Sequence, residues 1–407
     1  MHDGSAGPYC YCRTLKGTRL SDITIAASYE IKPSRYPDKT GHDLLRCIIK
    51  GALKSWPIGP KDIDGILVSP TGQASGGRID CYIHEKLISE LGIQPTFAET
   101  LSLGGATFPT MVDRAARAIA AGRAKAVLCI GSGKFAKISQ GGGQAAKMIS
   151  EPDMEAPYGT FIPALYGMII SEFMAKRGIT KTDMARVAVA QRQWALRNPE
   201  AKMHGKGELT IEDVLNSRPI ATPFNFYDCS IPCEGGGAVL VTRGDLGRKW
   251  AKQPAYILGF GEAHPRGTMS SPGSLIDTGA IATGADAFAQ ASMSPADIQV
   301  AQLYDAFSAT PLLLLENLKF TPEGASGEYV HSGAMDPGGS MPTNTYGGLL
   351  SYGHTGDSSG MSVLIEGVRQ TMGEAGDRQV AKAERNLIHC YGGMMFDHAT
   401  LILGREA

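Results

Sequence analysis

The 407-residue sequence predicts an α/β protein made of two duplicated halves, with a loop domain inserted in the first. Three observations carry this reading. Short apolar runs alternate with amphipathic ones at the spacing of crossover units, which calls for a buried, largely parallel sheet with helices on both faces. The same order of elements returns from about residue 255 with little sequence in common. Between Lys134 and about Glu234 the alternation stops, and longer loops separate two helical runs.

The elements follow in order. A strand-like run near residues 23–27 precedes GHDLLRCIIKGAL, where Leu44, Leu45, Ile48, Ile49 and Ala52 recur at helical spacing. DGILVSP supplies a short buried strand, CYIHEKLISELG a helix, and residues 96–99 an extended segment. Gly104-Gly105 opens a helix carrying Phe108, Met111, Val112, Ala115 and Ile119, with Pro109 tolerated in its first turn. AKAVLCIGSG is an apolar strand ended by glycine. The inserted region contributes the helical runs ALYGMIISEFMAKRG and TDMARVAVAQRQWALRN, and GGGAVLVTRGD restores strand character. The second half repeats the scheme through the strand AYILGFGE, a helix near DAFAQAS, the strand VAQLYD, the helix TPLLLLENL, a helix from about Ser358, and the strands NLIHCYG and ATLILG. The resulting domains are an extension over 1–20, a first half over 21–250 containing the loop domain at about 134–234, and a second half over 251–407.

With 43% hydrophobic and 19% charged residues, the chain can bury a large core and falls outside the disordered, collagen-like and disulfide-stapled classes. Lys plus Arg number 39 against 40 Asp plus Glu, so electrostatics gives no reason to expect nucleic acid or an anionic membrane as partner. No run approaches the ~20 apolar residues of a membrane helix, and the N-terminus lacks the apolar centre of a secretory signal; a soluble, intracellular, cytoplasmic protein is expected. Eight cysteines without a repeating spacing read as reduced thiols. Cys10-x-Cys12 has no second pair nearby to complete a zinc site, so no metal is expected. The Gly141 to Gly143 run lacks the Lys and Ser or Thr of a phosphate loop and reads as a flexible turn.

Three segments carry candidate chemistry. In GGLLSYGHTGDSSG, His354 follows Gly353 on a turn before a helix, where an imidazole is presented with little steric cover and titrates near neutrality; the alternative is a turn histidine bonded locally. Cys390 ends an apolar strand before Tyr391-Gly392-Gly393, so its thiol can face a cleft while the glycines let N–H groups approach a ligand oxygen; the alternative is a small buried hydrophobe. Tyr304 and Asp305 stand at a strand–helix junction, where tyrosine is either core or cleft and Asp305 is expected to cap the following helix.

Together these segments resemble the thiolase superfamily, in particular the branch of sterol-carrier-type thiolases and lipid-transfer proteins, over nearly the whole chain after about Ser21. The family's Gly-His-Pro, Cys-x-Gly-Gly and Asn-Glu-Ala-Phe or His-Asp-x-Phe motifs appear as Gly353-His354-Thr355, Cys390-Tyr391-Gly392-Gly393 and Tyr304-Asp305-Ala306-Phe307. YDCSIPCEGGGAVLV is similar to the stretch that ends the branch's loop domain. The resemblance implies a five-layered α-β-α-β-α thiolase fold. It also implies that His354 with Tyr304 binds the thioester oxygen of an acyl-CoA, that Cys390 exchanges a proton, and that the Gly105 and Gly392 amides line a second oxyanion site.

One departure matters. Counting back from Ile119-Ala120-Ala121-Gly122 puts the family's nucleophilic cysteine at Gly105, and neither Ser102 nor Thr107 can inherit the position. Ordinary covalent acyl transfer is therefore not the first expectation. Enolate stabilisation survives, and retro-aldol cleavage of a β-hydroxyacyl-CoA needs only a base, an enolate sink and an acid. Tyr304 and Tyr352, which lies beside His354, are the candidate phenolic acid or base, with packing as the alternative role of Tyr352; a steroid side-chain aldolase subgroup of the branch looks like this kind of variant. Two other functions stay open: a thiolase with another nucleophile such as Cys390, and a catalytically silent acyl-CoA- or lipid-binding subunit. The expected partners are a coenzyme A thioester substrate, with no covalently bound cofactor, a second copy in a homodimer, and a small zinc-ribbon and OB-fold acyl-CoA-binding subunit. Lys134, Lys137 and Lys147 lie in the region where CoA phosphates bind, with solvated surface charge as their expected role.

Overall fold

The computed structural model describes residues 22–71, 80–135, 143, 146, 147 and 149–407. The extension over 1–20, Cys10, Cys12, Lys137 and the first two glycines of the 141–143 run lie outside them. The strands are β1 (Ile23–Ser34), β2 (Gly65–Val68), β3 (Phe97–Thr100), β4 (Ala126–Gly133), β5 (Pro219–Ala221), β6 (Phe224–Asn225), β7 (Glu234–Arg243), β8 (Ala255–Ala263), β9 (Val300–Leu303), β10 (Arg385–Gly392) and β11 (Asp397–Gly404). The helices are α1 (Gly41–Ser55), α2 (Ile83–Leu91), α3 (Thr107–Ala120), α4 (Ile162–Arg177), α5 (Lys181–Ala195), α6 (Ile211–Leu215), α7 (Gly244–Trp250), α8 (Ala280–Ala291), α9 (Thr310–Asn317), α10 (Ser326–His331), α11 (Gly348–Ser351) and α12 (Ser359–Met372).

Local chemistry explains where elements start and stop. Thr40 and Asp43 form a reciprocal capping box that starts α1, which buries Leu44, Leu45, Ile48 and Ala52. The same box starts α5 at Thr180 and α6 at Thr210. β2, β4 and β9 are buried on every residue, as expected of strands covered on both faces.

The strands follow the order β3-β2-β4-β7-β1-β8-β11-β10-β9. The duplication is visible in the pairings. β2 pairs β4 in parallel, β4 pairs β7 antiparallel and β7 pairs β1 antiparallel; β9, β10, β11 and β8 repeat that series. The halves are joined edge to edge through β1 and β8, at Thr24–Tyr256 and Ile25–Ala255. The expectation of a largely parallel sheet is corrected here: among the strand pairs of the described residues, only β2·β3, β2·β4 and β9·β10 are parallel. An apolar run reports burial on both faces, and direction is set by connections its composition does not encode.

Helices α3 and α12 touch each other and strands of both halves, whereas α1, α2 and α7 pack mainly on the first-half strands and α8 on those of the second. This is the layered α-β-α-β-α arrangement. The two central helices are buried on almost every face, including Asp113 on α3 and Glu366 on α12, because each packs against strands of both halves of the sheet rather than of one. Small residues make that possible: a Cβ at Gly367 would come within 2.5 Å of Ile388.

Candidate functional site

The candidate site gathers where three loops leave the layers. Tyr304 follows β9, and its backbone N–H bonds to the carbonyl of His389 on β10 at 2.9 Å. His354 follows α11 on a turn whose Gly353 has φ +134, a conformation that favours glycine, and a Cβ there would also lie 2.6 Å from Cys233 Sγ. The segment 229–233 laces the two together. Ser230 N–H donates to Ala306 O, Ile231 N–H to Leu349 O and Cys233 N–H to His354 O, while His354 N–H donates back to Ile231 O at 2.7 Å.

These constraints bring Tyr304 Oη to 3.0 Å from His354 Nε2. The direction of that bond follows from the other ring nitrogen. Nδ1 accepts the Gly356 N–H at 3.2 Å, and burial pulls the imidazole down to about 4, so at neutral pH the ring carries one proton, on Nε2. Nε2–H therefore donates to the tyrosine oxygen. Edge-to-face packing of Tyr304 on Tyr391, with centroids 4.8 Å apart, fixes the phenol ring.

The third loop, residues 103–106 before α3, is folded tightly against the others. Thr107 Oγ donates to Gly104 O at 2.6 Å and accepts Leu103 N–H at 2.7 Å, so its hydroxyl is committed to the backbone. A Cβ on Gly105 would lie 2.4 and 2.8 Å from Cε2 and Cζ of Tyr304 and 2.5 Å from the Tyr391 carbonyl oxygen. A Cβ on Gly392 would lie 1.9 Å from Leu103 O, and one on Gly360 2.0 Å from Gly105 O. The Gly105 loop, the end of β10 and the start of α12 therefore meet backbone to backbone. Cys390 lies at that meeting, fully buried, its thiol directed to Gly360 O at 3.9 Å. Burial pushes it well above the ordinary thiol value, so it is a neutral thiol at physiological pH.

Sequence-predicted residues fall into two groups. Tyr304, His354, Gly105, Gly392 and Cys390 belong to the converging loops. Tyr352 points elsewhere: its ring packs edge-on to Tyr346 at 5.2 Å, and its hydroxyl meets the carboxyl of Glu30 on β1, a group also bonded to Ser362 and Arg369. Burial holds the Tyr352 phenol protonated well past neutrality. Asp305 does not cap the following helix. It accepts the N–H of Leu349 at 2.8 Å and of Leu350 at 3.4 Å, at the start of α11, because the chain turns its side chain away from α9 into the body of the fold. Lys134 is no solvated charge: it is ion-paired at 3.0 Å to Glu234, whose side chain is wholly buried. Lys147 is exposed.

Residues the sequence did not single out complete the site. Tyr166 of α4 packs at a tilt on Phe307 with centroids 4.7 Å apart, Phe307 stacks at 4.5 Å on Phe224, and Tyr166 Oη donates to Gly393 O at 3.3 Å. An aromatic wall thus joins the inserted region to the glycine loop. Only the aromatic residues beside each motif could have signalled it. Among the described residues no group of three His, Cys, Asp or Glu is placed to hold a metal ion, and no helix is long and apolar enough to cross a membrane.

Comparison with known proteins matches residues 28–207 to the thiolase N-terminal domain and residues 261–405 to the thiolase C-terminal domain-like family. The chain is 28% identical to an acetyl-CoA acetyltransferase of Methanothermobacter thermautotrophicus, over 92% of this chain and 97% of that one. It is 31% identical to a steroid side-chain-cleaving aldolase of Thermomonospora curvata, over 77% and 81% respectively. Among solved structures, the Ltp2-ChsH2(DUF35) aldolase superposes with a TM-score of 0.82 at 27% identity, covering 94% of this chain and 98% of that chain.

Proposed function

The chain belongs to the thiolase family and is a thiolase-like enzyme of acyl-CoA chemistry, and on that premise we propose that it splits a β-hydroxyacyl-CoA by retro-aldol cleavage, without a covalent acyl-enzyme. The observation that carries this reading is the Tyr304 ring. It fills the space a side chain on Gly105 would need, while its hydroxyl is bonded to His354. The place of an attacking sulfur is taken by a phenol paired with an imidazole.

In the proposed reaction Tyr304 acts as a phenolate held by the Nε2–H of His354: its oxygen takes the β-hydroxyl proton while the Cα–Cβ electron pair moves onto the thioester as an enolate. The β-carbon leaves as an aldehyde or ketone. The Gly105 and Gly392 amides hold the negative oxygen, Cys390 delivers a proton to the α-carbon, and the proton taken up by Tyr304 returns to the Cys390 thiolate to close the cycle. The products are one carbonyl compound and one shortened acyl-CoA, with neither water nor free CoA consumed. A buried neutral thiol suits this acid role and is a poor nucleophile, which counts against covalent catalysis through Cys390. Tyr352, held protonated with its hydroxyl on Glu30, is assigned the packing role rather than that of a base.

The name of the aldolase structure supports a small DUF35-type acyl-CoA-binding subunit as partner. A homodimer and a cytoplasmic setting complete the proposal. The test is a panel of β-hydroxyacyl-CoA and β-ketoacyl-CoA thioesters, from short branched chains to steroid ring systems, incubated with and without that subunit, products being identified by mass. Cleavage of the hydroxyacyl series that is lost in Tyr304→Phe and His354→Ala is expected. Turnover confined to the keto series with free CoA present favours the acetyltransferase reading suggested by the archaeal relative. Product formation indifferent to His354→Ala indicates a binding subunit.

A further inference from the structure

The carboxyl of Asp305 is completely buried beside the site, in a pocket of polar groups that the reaction above does not use. It adjoins Tyr304 in sequence yet bonds to the segment that carries His354. One oxygen takes the Leu349 N–H at 2.8 Å and the other the Leu350 N–H at 3.4 Å. Those amides open α11, which runs directly into Tyr352, Gly353 and His354. The backbone is cut to admit the carboxyl: Gly348 has φ +62, and a Cβ there would stand 2.1 Å from Asp305 Oδ2. Gly347, at φ +109, leaves no room for one either, since it would meet Ala195 of α5 at 2.8 Å.

The surroundings tie the same carboxyl to β9. Asn344 Oδ1 accepts the N–H of Leu303, the residue before Tyr304, at 2.6 Å, and the Asn344 side chain favours the ionised form of Asp305. On the other side Gln191 of α5 is fully buried with neither amide atom hydrogen-bonded, and its Oε1 lies 2.9 Å from the position of the missing Gly348 Cβ. A buried polar side chain kept under such conditions costs stability. The Gln191 amide and the Asp305 carboxyl both border the space that the missing Gly348 Cβ leaves open.

We propose that Asp305 is a positioning residue that sets the 3.0 Å contact between Tyr304 and His354, by clamping the start of α11 to the end of β9. The inference rests on the catalytic reading of that pair. The carboxyl touches no reacting atom; it acts through the short helix, so its loss misplaces the imidazole relative to the phenol. A misplacement of about 1 Å costs about 100-fold in rate.

The test compares Asp305→Asn, which keeps one oxygen for Leu349 N–H, with Asp305→Ala, which keeps none. Turnover is read on the panel thioester that the wild type cleaves fastest. The expected result is a kcat about tenfold down in D305N and at least about 100-fold down in D305A, with KM within about threefold in both. A second readout needs no substrate: 15N signals of labelled histidine, with His354 assigned by difference from His354→Asn, report its Nε2–H tautomer. The wild type should show that tautomer alone, and D305A a mixture. If His354→Ala and Tyr304→Phe abolish turnover while D305A keeps wild-type kcat and a single tautomer, this inference fails and the catalytic reading stands. If those two variants leave turnover intact, the catalytic reading fails, and the tautomer signal alone decides whether Asp305 clamps the pair. Losses of kcat that only track the folded fraction by circular dichroism, with the tautomer unchanged, also overturn the proposal.

Discussion

Gly105→Ala adds a single methyl group where the account says none can go. Its carbon would sit 2.4 Å from Tyr304 Cε2, 2.8 Å from Cζ and 2.5 Å from Tyr391 O. Two of these are ring atoms wedged against Tyr391 and the third is backbone, so nothing flexible is available to yield. Overpacking of this kind costs about 1–3 kcal/mol. Because the ring that must move also carries the hydroxyl bonded to His354, activity should fall about 100-fold or more. A double-mutant cycle isolates the cause. Tyr304→Asn removes the ring, so Gly105→Ala in that background should cost at least about 1 kcal/mol less than in the wild type, measured from urea midpoints by circular dichroism. A Gly105→Ala protein as stable as the wild type, or a cycle additive within about 0.5 kcal/mol, refutes the claim that the phenol occupies this space.

Burial of neutral histidines gives a pH dependence. His398 is pulled down from 6.5 to about 4 by burial, so the unfolded chain binds its proton below 6.5 while the folded chain does not until about 4. The stability it contributes is present above pH 6.5 and is lost as pH falls; relative to His398→Asn, the wild type should lose about 2 kcal/mol between pH 6.5 and 5 in urea melts. Asp305, pushed up from 3.8 to about 8 by burial, runs the other way: the folded chain holds a proton that the unfolded chain has lost, so Asp305→Asn should gain stability relative to the wild type as pH rises from about 4 to 8, with no further gain above 8. Cys390, buried and protonated, should resist iodoacetamide at pH 7.5 in the native protein and react on unfolding, while Cys390→Ala folds and loses kcat; rapid native labelling contradicts its role as a thiol acid. Lys134→Ala leaves the wholly buried Glu234 carboxylate with the Tyr36 N–H at 2.6 Å and Arg35 at 3.8 Å, and should lower stability by up to about 3 kcal/mol without changing KM for a CoA thioester; a raised KM in folded protein assigns Lys134 to the phosphates instead.

Much of the molecule was legible in the sequence because the relevant signals are local. The element order followed from apolar spacing, and the strands and helices of both halves lie close to where the pattern placed them. His354 stood out because glycine before it marks a turn, and Tyr304 because it ends an apolar strand. What escaped was long-range. Strand direction depends on how β1 and β8 enter the sheet, which their own residues do not state. Lys134 looked like surface charge because its partner is 100 positions away. Tyr352 reads as a neighbour of His354 in sequence, yet its hydroxyl meets Glu30 of β1. Asp305 has the residue type and place of a helix cap, and only the fold reveals that the helix it serves is α11 rather than α9.

The central claim is most directly tested by stoichiometry in one reaction. The protein is given a β-hydroxyacyl-CoA with no added free CoA, the carbonyl product and shortened thioester are quantified by mass spectrometry, and the intact protein mass is followed during turnover. The expected result is one carbonyl compound and one shortened acyl-CoA per substrate, with the protein mass unchanged. Cleavage that waits for free CoA, accompanied by a protein heavier by one acyl group, contradicts it.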